Sequence, residues 1–473
     1  MSSQGTRGLL KQGLQTLQRR WQSIAGSEYG AEAASLRPSL PPEDWPLLLR
    51  QMSKCLEGRG GEVLARSQAA ALGRAYLALD ETGRENFLRL IAREFDLDLE
   101  RVDDALEEVR SAGDPVALRQ ARRRLVAATG SPRARILTRF NALPQGVKFL
   151  VDLRADLLPL AREDPQMACL DDDLRSLLTS WFDVDFLELR RISWQTASGA
   201  LLEKFIAYEA VHPVESWDDL KDRLDFDRRY FAFFHPRMPE EPLIFVEVAL
   251  VRGLAGNIRD LLDPSAPALD PTSADTAIFY SISNAQKGLA GVSFGGFLIK
   301  RVVQELTREF SRLKTFSTLS PLPGFLPWVR RTLSGDPEAL LPGEAKRIRI
   351  LAGGGDPGSW LGTVLEGADW HLDESVAASL RPVLLRLAAR YLLREERSVG
   401  GALDPVAHFH LSNGARVERL NWLGDTSARG MAQSGGILVN YLYDTRKIEQ
   451  NHEGYRGQKR VAASAAVKGL LKT

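Results

Sequence analysis

Residues 276–310, TAIFYSISNAQKGLAGVSFGGFLIKRVVQELTREF, decide the fold of the region around them. Six of the first seven residues are apolar, aromatic or β-branched, which predicts a buried strand. Residues 297–310 place Leu298, Val302, Leu306 and Phe310 on one face, which predicts an amphipathic helix. Between them lies a glycine-rich turn. This order predicts a strand that enters a helix through a turn able to meet an anion.

Other strands surround this stretch in the C-terminal part of the chain. The apolar runs 243–251 (LIFVEVALV) and 437–443 (ILVNYLY) predict two more buried strands. Strands mixed with helices indicate an α/β or α+β catalytic-type domain. Residues 334–359 carry three prolines and a run of three glycines, so we expect a mobile insertion there.

The N-terminal part has a different texture. From about residue 45 to 165 apolar residues recur every three or four positions, and runs typical of strands are nearly absent. We therefore predict an α+β protein with an N-terminal all-α helical bundle over residues 1–177 and an α/β catalytic domain over 178–473. Two domains are also the default expectation for 473 residues.

Charge and composition exclude several classes of protein. Lys and Arg number 62 and Asp and Glu 61, so the net charge of +1 gives no general attraction to nucleic acid or to an anionic membrane. No apolar run reaches the length of a membrane span. The two cysteines, Cys55 and Cys169, and the six histidines show no metal-ligand spacing, so we expect no metal.

The first 22 residues are basic and free of acidic side chains. This pattern is found in mitochondrial transit peptides. An amphipathic first helix with apolar residues at helical spacing is the simpler explanation of the pattern. We therefore expect a cytoplasmic protein, or one of the mitochondrial matrix if the segment is a transit peptide.

The glycine-rich turn allows two interpretations. Gly291-Val292-Ser293-Phe294-Gly295 matches the GxSxG elbow of serine hydrolases, with His410 available for a triad. In such an elbow the strand runs directly into the first glycine, whereas residues 284–290 intervene here. The turn also suits an anion cradle at a helix start, and in this respect it resembles the acyl-CoA-binding element of the GNAT acyltransferase fold.

Four further stretches occur in a distinctive order: 212–217 (HPVESW), 279–292 (FYSISNAQKGLAGV), 297–325 (FLIKRVV running on to FSTLSPLPGF) and 409–422 (FHLSNGARVERLNW). Together they resemble the malonyl-CoA decarboxylase family over most of residues 180–450. The resemblance implies a helical domain before a GNAT-like catalytic domain, and conversion of malonyl-CoA to acetyl-CoA and CO2 in fatty acid metabolism. It also implies a homo-oligomer, commonly a tetramer.

The same resemblance implies the site residues. Ser317 and His410 match the family's catalytic serine and histidine, and Tyr443 matches an active-site tyrosine. The family assigns no role to a serine at the elbow position, which argues against the hydrolase. The substrate-binding loop comprises Lys287, Gly288, Leu289, Ala290, Gly291, Val292 and Ser293.

The expected chemistry suits these residues. Loss of CO2 leaves a thioester enolate, so donors must face the thioester oxygen and an acid must protonate C2. The thioester is itself an electron sink, so no metal or organic cofactor is expected. We expect His410 to deliver the proton and Ser317 to orient the carboxylate or hydrogen-bond the imidazole. Backbone N–H groups within 316–320 are expected in the oxyanion hole.

Local pattern adds three further expectations. If residues 408–410 form a strand, His408 and His410 share one face, with Asn413-Gly414 as a hairpin turn after them. His212-Pro213 is expected to be a structural turn. Arg301, Arg429 and Lys459 are candidates for the 3′-phosphate of CoA. Two alternatives to the decarboxylase remain: a GNAT-fold acyltransferase, and a hydrolase or thioesterase using Ser293.

Overall fold

The computed structural model describes residues 29–57, 62–182, 186–292, 298–336, 338–367, 369–398 and 400–472. The chain divides into two compact units. The helical unit comprises the chain up to Leu187 with His235–Glu241 and Gln286–Phe294. The sheet unit comprises Glu188–Phe234, Pro242–Ala285 and Gly295–Thr473. The predicted binding loop therefore groups with the helices, although we assigned it to the catalytic domain. The expectations for residues 1–22 lie outside the described residues.

The helical unit confirms the predicted N-terminal bundle. Several of its helices begin at an aspartate or serine whose side chain accepts a backbone N–H, as Asp80 does from Gly83 at 2.8 Å. Its core includes edge-to-face aromatic pairs, with Tyr76 5.1 Å from Phe87 and 5.6 Å from Phe149. The helices are α1 (Ala31–Leu36), α2 (Trp45–Glu57), α3 (Glu62–Ala78), α4 (Glu81–Glu94), α5 (Leu99–Ser111), α6 (Pro115–Ala128), α7 (Pro132–Phe140), α8 (Gly146–Leu160) and α9 (Pro165–Trp181).

The strands form one sheet in the order β1-β2-β3-β4-β5-β8-β6, with β7 paired to β8. The three strands predicted from apolar runs are confirmed as β3, β4 and β8. The strands are β1 (Glu188–Ile192), β2 (Arg228–His235), β3 (Met238–Val251), β4 (Thr276–Asn284), β5 (Thr315–Thr318), β6 (Ser320–Pro321), β7 (Arg416–Asn421) and β8 (Leu438–Leu442).

Strand β4 has unequal partners on its two sides. It pairs antiparallel with β3 along its length, with a bulge at Glu247/Val248. On the other side it pairs parallel with β5 only from Thr276 to Phe279, although β4 continues to Asn284. Within the described residues, the last five residues of β4 therefore extend beyond β5.

Helices flank and follow the strands, which confirms the predicted α+β class. The helix expected over 297–310 is α13. The helices of this part of the chain are α10 (Gly199–Tyr208), α11 (Trp217–Arg223), α12 (Arg259–Leu262), α13 (Leu298–Glu309), α14 (Phe325–Gly335), α15 (Pro342–Leu351), α16 (Pro357–Val364), α17 (Glu374–Leu393), α18 (Pro405–Ser412), α19 (Ala428–Ser434), α20 (Ile448–Gln458) and α21 (Ala465–Gly469). No described helix has the length and apolar character needed to cross a membrane.

The expectation of a mobile insertion over 334–359 is wrong. Pro342 and Pro357 occupy the first positions of α15 and α16, where proline is favoured because its missing N–H has no helical partner. Gly353 and Gly354 take positive φ after α15 ends. A buried ion pair joins Glu344 of α15 to Arg386 of α17 at 2.6 Å. The prolines and glycines therefore mark helix boundaries.

Candidate active site

His410 lies on helix α18, which the sequence pattern did not predict. The side chain of Asp404 accepts the N–H groups of Val406 and Ala407, both at 2.9 Å, and Pro405 follows the cap. The conditional assignment of a strand and hairpin at this position is wrong, since Asn413 ends the helix. Two positions apart on a helix, the two histidines diverge, and His408 contacts Tyr455 instead.

Both imidazole nitrogens of His410 have hydroxyl partners. Its Nδ1 lies 2.8 Å from the Tyr443 hydroxyl and its Nε2 lies 3.2 Å from Ser320 Oγ. The ring stacks on Tyr441 with centroids 4.5 Å apart. Strands β6 and β8, at whose ends Ser320 and Tyr443 lie, thus fix the imidazole from two sides. The structure brings together two of the predicted residues, His410 and Tyr443.

Among the described residues, no charged side chain offsets the burial of His410. Only 2% of His410 is exposed, and burial lowers the pKa of its imidazole to about 3. Burial also raises the pKa of the Tyr443 hydroxyl. The unliganded site is therefore uncharged near neutral pH, and its hydrogen bonds join neutral partners.

Ser317 does not contact His410. Its Oγ donates to the carbonyl of Tyr441 at 3.2 Å and to that of Thr318 at 3.4 Å, in a fully buried position on β5. Ser320, three residues later, is the serine within reach of the imidazole. The expected hydrogen bond between Ser317 and the imidazole is thus absent. The role of Ser317 in orienting the carboxylate stays a prediction.

Part of the expected oxyanion hole is already occupied. The N–H of Leu319 donates to the carbonyl of Phe279 at 3.0 Å, which binds this stretch to β4. Thr318 Oγ1 accepts from Ser320 Oγ at 2.9 Å and from the N–H of Tyr441 at 3.1 Å. The described hydrogen bonds of this stretch therefore hold Ser320 in place. They also use the N–H of Leu319, one of the donors expected to face the thioester oxygen.

The predicted binding loop rests on helix α8 within the helical unit. Arg154 Nη1 donates to the carbonyls of Gly288 and Ala290, both at 2.7 Å. Glycine is required at 288, because a Cβ there would lie 1.7 Å from the Val151 carbonyl oxygen. Gly291 has a φ of +73°. Ser293 and the following residues of the elbow motif lie outside the described residues.

Comparison with known proteins shows similarity over most of the chain. Residues 185–473 match the malonyl-CoA decarboxylase C-terminal domain, and residues 95–182 match the malonyl-CoA decarboxylase N-terminal domain. The chain belongs to the malonyl-CoA decarboxylase family. The resemblance stated from four sequence stretches is thereby confirmed.

Relatives of the family cover most of the chain in both sequence and structure. "Malonyl-CoA decarboxylase, mitochondrial" of Anser anser anser is 38% identical over 423 residues, 85% of this chain and 83% of the relative. Its counterpart of Rattus norvegicus is 37% identical over 426 residues, 86% of each. The crystal structure of malonyl-CoA decarboxylase from Rhodopseudomonas palustris, 41% identical, gives a TM-score of 0.82 over 90% of this chain and 99% of that one. That from Agrobacterium vitis, 39% identical, gives 0.80 with the same coverage.

For this member of the malonyl-CoA decarboxylase family, sequence reasoning missed two polar residues near the predicted ones. Ser320 stood in the quoted FSTLSPLPGF stretch, and only its distance to His410 singles it out. Arg154 had a usable signal: it lies four residues after Leu150 and three before Leu157, on the buried face of α8. A charged residue at an apolar-face position indicates a buried partner.

A buried carboxyl cluster was also missed. Glu209 accepts the Ser281 hydroxyl at 2.8 Å and the backbone N–H groups of Val211 and His212 at 2.7 and 2.8 Å. His212 therefore lies in a turn that Glu209 ties down. Glu247 is fully buried nearby on β3, and burial together with Glu209 raises the pKa of its carboxyl to about 8.

The described contacts of Arg301, Arg429 and Lys459, the three candidates for binding the 3′-phosphate, do not bring them together in one site. Arg429 of the sheet unit donates to the carbonyl of Val211 at 3.3 Å, and Lys459 takes a left-handed conformation just after α20. The guanidinium of Arg301 lies over the ring of Phe233, 5.6 Å from its centroid. Their assignment to the phosphate stays a prediction.

Proposed function

We propose that this chain decarboxylates malonyl-CoA to acetyl-CoA and CO2 at the site formed by Ser320, His410 and Tyr443. Family membership makes the chain a malonyl-CoA decarboxylase, a carboxy-lyase. The single observation that carries the site is the buried imidazole with a hydroxyl on each nitrogen.

The reaction needs one bond broken and one proton delivered. Cleavage of the bond between C2 and the carboxylate releases CO2 and leaves its electron pair on C2 and the thioester oxygen. A hydrogen-bond donor stabilises that oxygen, and one well-placed donor is worth about 3 kcal/mol. A proton then reaches C2, which gives acetyl-CoA.

His410 fits the proton transfer when the substrate's charge is considered. Burial keeps the imidazole neutral in the unliganded protein. A malonyl carboxylate within about 4–6 Å favours the imidazolium, since an opposite charge raises the pKa of a base. On substrate binding the imidazole would thus take up a proton from water, and His410 would then pass it to C2. Tyr443 holds the ring through Nδ1, and Ser320 aligns Nε2.

Donors for the enolate oxygen are proposed on β4. The end of this strand runs beyond its pairing with β5, whereas the N–H of Leu319 already has a partner. An unpaired strand edge leaves backbone groups available to a ligand. We place the thioester along this part of β4, on the sheet that also carries Ser320.

The remaining parts of the proposal concern CoA, cofactors and assembly. Lys287, Gly288, Leu289, Ala290, Gly291, Val292 and Ser293 would meet the CoA phosphates. No metal or organic cofactor is proposed, because the thioester accepts the electron pair. Activity is therefore expected to survive dialysis against EDTA. We also propose a homo-oligomer, with a tetramer as the expected state, to be measured by light scattering.

No described residue indicates the cellular compartment of the protein. The relatives from goose and rat are named mitochondrial. A cytoplasmic location, or the mitochondrial matrix if residues 1–22 act as a transit peptide, stays a proposal. Imaging of a fusion with and without these residues tests it.

The decisive experiment follows CO2 and acetyl-CoA release from malonyl-CoA. Wild type is compared with Ser293→Ala and His410→Ala. The proposal requires that His410→Ala loses about 10²- to 10⁴-fold in turnover, the usual contribution of acid catalysis. Ser293→Ala should keep wild-type rates. Inactivity of Ser293→Ala alone, or formation of free CoA and malonate, would instead establish a thioester hydrolase.

A further inference from the structure

A cavity in the helical unit has an unusual lining of arginines. It encloses about 550 Å³, and Arg66 of α3, Arg135 and Arg139 of α7, and Arg237 form half of its lining residues. The other described lining residues are Thr138, Asn141, Ala142 and Leu143, and none of these carries a carboxylate. In a chain of net charge +1, this concentration of positive charge is local.

Some arginines elsewhere in this unit are paired with acids. Arg89 contacts Asp164 at 2.6 Å, and Arg133 contacts Asp173 at 2.9 Å. In the cavity, Arg135, Arg139 and Arg237 form no ion pair with any described residue.

Two of the cavity arginines are instead held by neutral groups. Arg135 donates to the carbonyl of Leu56 at 3.2 Å, and Arg237 donates to the carbonyl and the side chain of Asn141, both at 3.2 Å. These contacts fix the guanidinium groups without neutralising them. Arg135 and Arg237 therefore keep a positive charge that an anion would offset.

We propose that this cavity, here called the arginine cavity, binds a small molecule through a phosphate group. Guanidinium forks match phosphate oxygens in bidentate geometry, and the Thr138 hydroxyl and Asn141 amide supply further donors. The volume lies within the range of about 300–1,000 Å³ typical of small-molecule sites. The phosphate belongs either to the CoA substrate, as its 3′-phosphate, or to a separate phosphorylated metabolite.

The first test measures binding of inorganic pyrophosphate by calorimetry. The double variant Arg135→Gln/Arg139→Gln is compared with wild type and with Arg175→Gln. Arg175 is a matched control, since it lies exposed on α9 and pairs with Asp172. Affinity should fall at least tenfold in the double variant only. Equal affinity in all three proteins, or no binding to wild type, overturns the proposal. Arg139→Lys is measured as a second variant in case the double variant folds poorly. It keeps the positive charge and should retain most of the affinity.

Decarboxylation of malonyl-CoA and of its 3′-dephospho analogue then identifies the source. If the double variant raises KM only for malonyl-CoA, the cavity holds the substrate's 3′-phosphate. If neither KM changes while pyrophosphate affinity falls, the ligand is a separate metabolite. Both outcomes support the site. A rise in both KM values without loss of pyrophosphate binding overturns it.

A second inference rests on Arg154. Its side chain is 2% exposed, and Asp171 holds it through Nε at 2.7 Å. Its Nη1 donates to two loop carbonyls, those of Gly288 and Ala290. Carbonyl oxygens facing a phosphate would repel it, and Arg154 turns both of them away from the loop surface. We infer that Arg154 is a positioning residue for the loop. This inference rests on the proposed function, which assigns the binding of CoA to the loop.

Hydrogen exchange and kinetics together test this inference. Arg154→Met should speed amide exchange in the segment 286–292 and raise KM about tenfold, with kcat nearly unchanged. Arg154→Lys should recover part of both effects. Arg84→Met serves as control, because Arg84 pairs with Asp156 of α8 at 3.4 Å and has no hydrogen bond to the loop.

The two readouts separate two kinds of failure. Unchanged exchange in Arg154→Met removes the inference about Arg154. Faster exchange with an unchanged KM keeps Arg154 as the support of the loop, but shows that the loop does not bind the substrate as proposed. A tenfold rise in KM without faster exchange also contradicts the positioning role.

Discussion

The sheet unit contains two buried polar clusters that differ in the charge of the groups around the buried side chain. Around His410 every partner is uncharged, and each imidazole nitrogen meets a hydroxyl. Around Glu247 the neighbours are charged: Glu209 lies close, and Arg223 Nη1 lies 3.5 Å away. Burial disfavours the charged form in both, so the pKa of the imidazole falls and that of the carboxyl rises.

This difference suits the His410 cluster to catalysis and the Glu247 cluster to stabilising the fold. The His410 cluster leaves room for a charge to arrive with the substrate, since no ion competes for the imidazole. The Glu247 cluster already contains opposite charges, and Glu209 uses its oxygens to hold Ser281 and the turn at His212. Substitutions in the first cluster should therefore change turnover, and those in the second should change stability.

The largest expected effect distinguishes the two serines. Ser320→Ala removes the hydroxyl at Nε2 of His410 and should lower kcat about 10²-fold, because it removes the group that aligns the imidazole for proton transfer, and acid catalysis contributes about 10²- to 10⁴-fold. Ser317→Ala tests the predicted orienting role, since loss of the bonds to backbone carbonyls alone should keep the rate within about threefold of wild type. Steady-state decarboxylation assays measure both. A larger loss in Ser317→Ala would support the predicted role of Ser317 in orienting the carboxylate.

A tenfold effect is expected at the other nitrogen. Tyr443→Phe removes the hydroxyl at Nδ1, and one hydrogen bond of about 1.4 kcal/mol corresponds to a tenfold loss in kcat. Tyr441→Phe is the matched control, since its ring stacks on His410 while its buried hydroxyl has no hydrogen-bond partner among the described residues. Equal losses in the two variants would show that the loss in Tyr443→Phe does not come from the hydrogen bond to Nδ1.

Glu247 should make stability decline with rising pH. Its folded pKa of about 8 exceeds the ordinary value of 4.5, so the folded state binds the extra proton between these limits. The slope is at most about 1.4 kcal/mol per pH unit. Urea unfolding at pH 5 and pH 8 should show that Glu247→Gln gains on wild type at the higher pH. An identical pH dependence in both proteins would refute the raised pKa.

His410 should change stability in the opposite direction and over a lower range of pH. Its pKa falls from 6.5 to about 3, so the unfolded state binds the extra proton and stability is lost as pH falls through this window. His410→Gln should therefore lose less stability than wild type between pH 6.5 and 4. Unfolding curves at these two pH values suffice. A larger loss in the variant would contradict the burial of a neutral imidazole.

Local pattern and family resemblance carried different parts of the prediction. Apolar runs located β3, β4, β8 and α13, because buried strands and amphipathic helices have characteristic periods. Periodicity failed at His410, where the Asp404-Pro405 cap starts a short helix before β7. It also failed at 334–359, where helix-bounding prolines and glycines resembled those of a loop.

By itself the sequence determined the α+β class, the helical N-terminal region and the family, and it predicted His410 and Tyr443 as site residues. Only the tertiary structure brought Ser320, and not Ser317, within hydrogen-bond distance of His410, placed Arg154 beneath the loop, and gathered the arginine cavity from α3, α7 and the segment His235–Glu241. Helical and strand periods are local and remain visible in one stretch of chain. A hydrogen bond such as that between Ser320 and His410, 90 residues apart, depends on packing that no local pattern records.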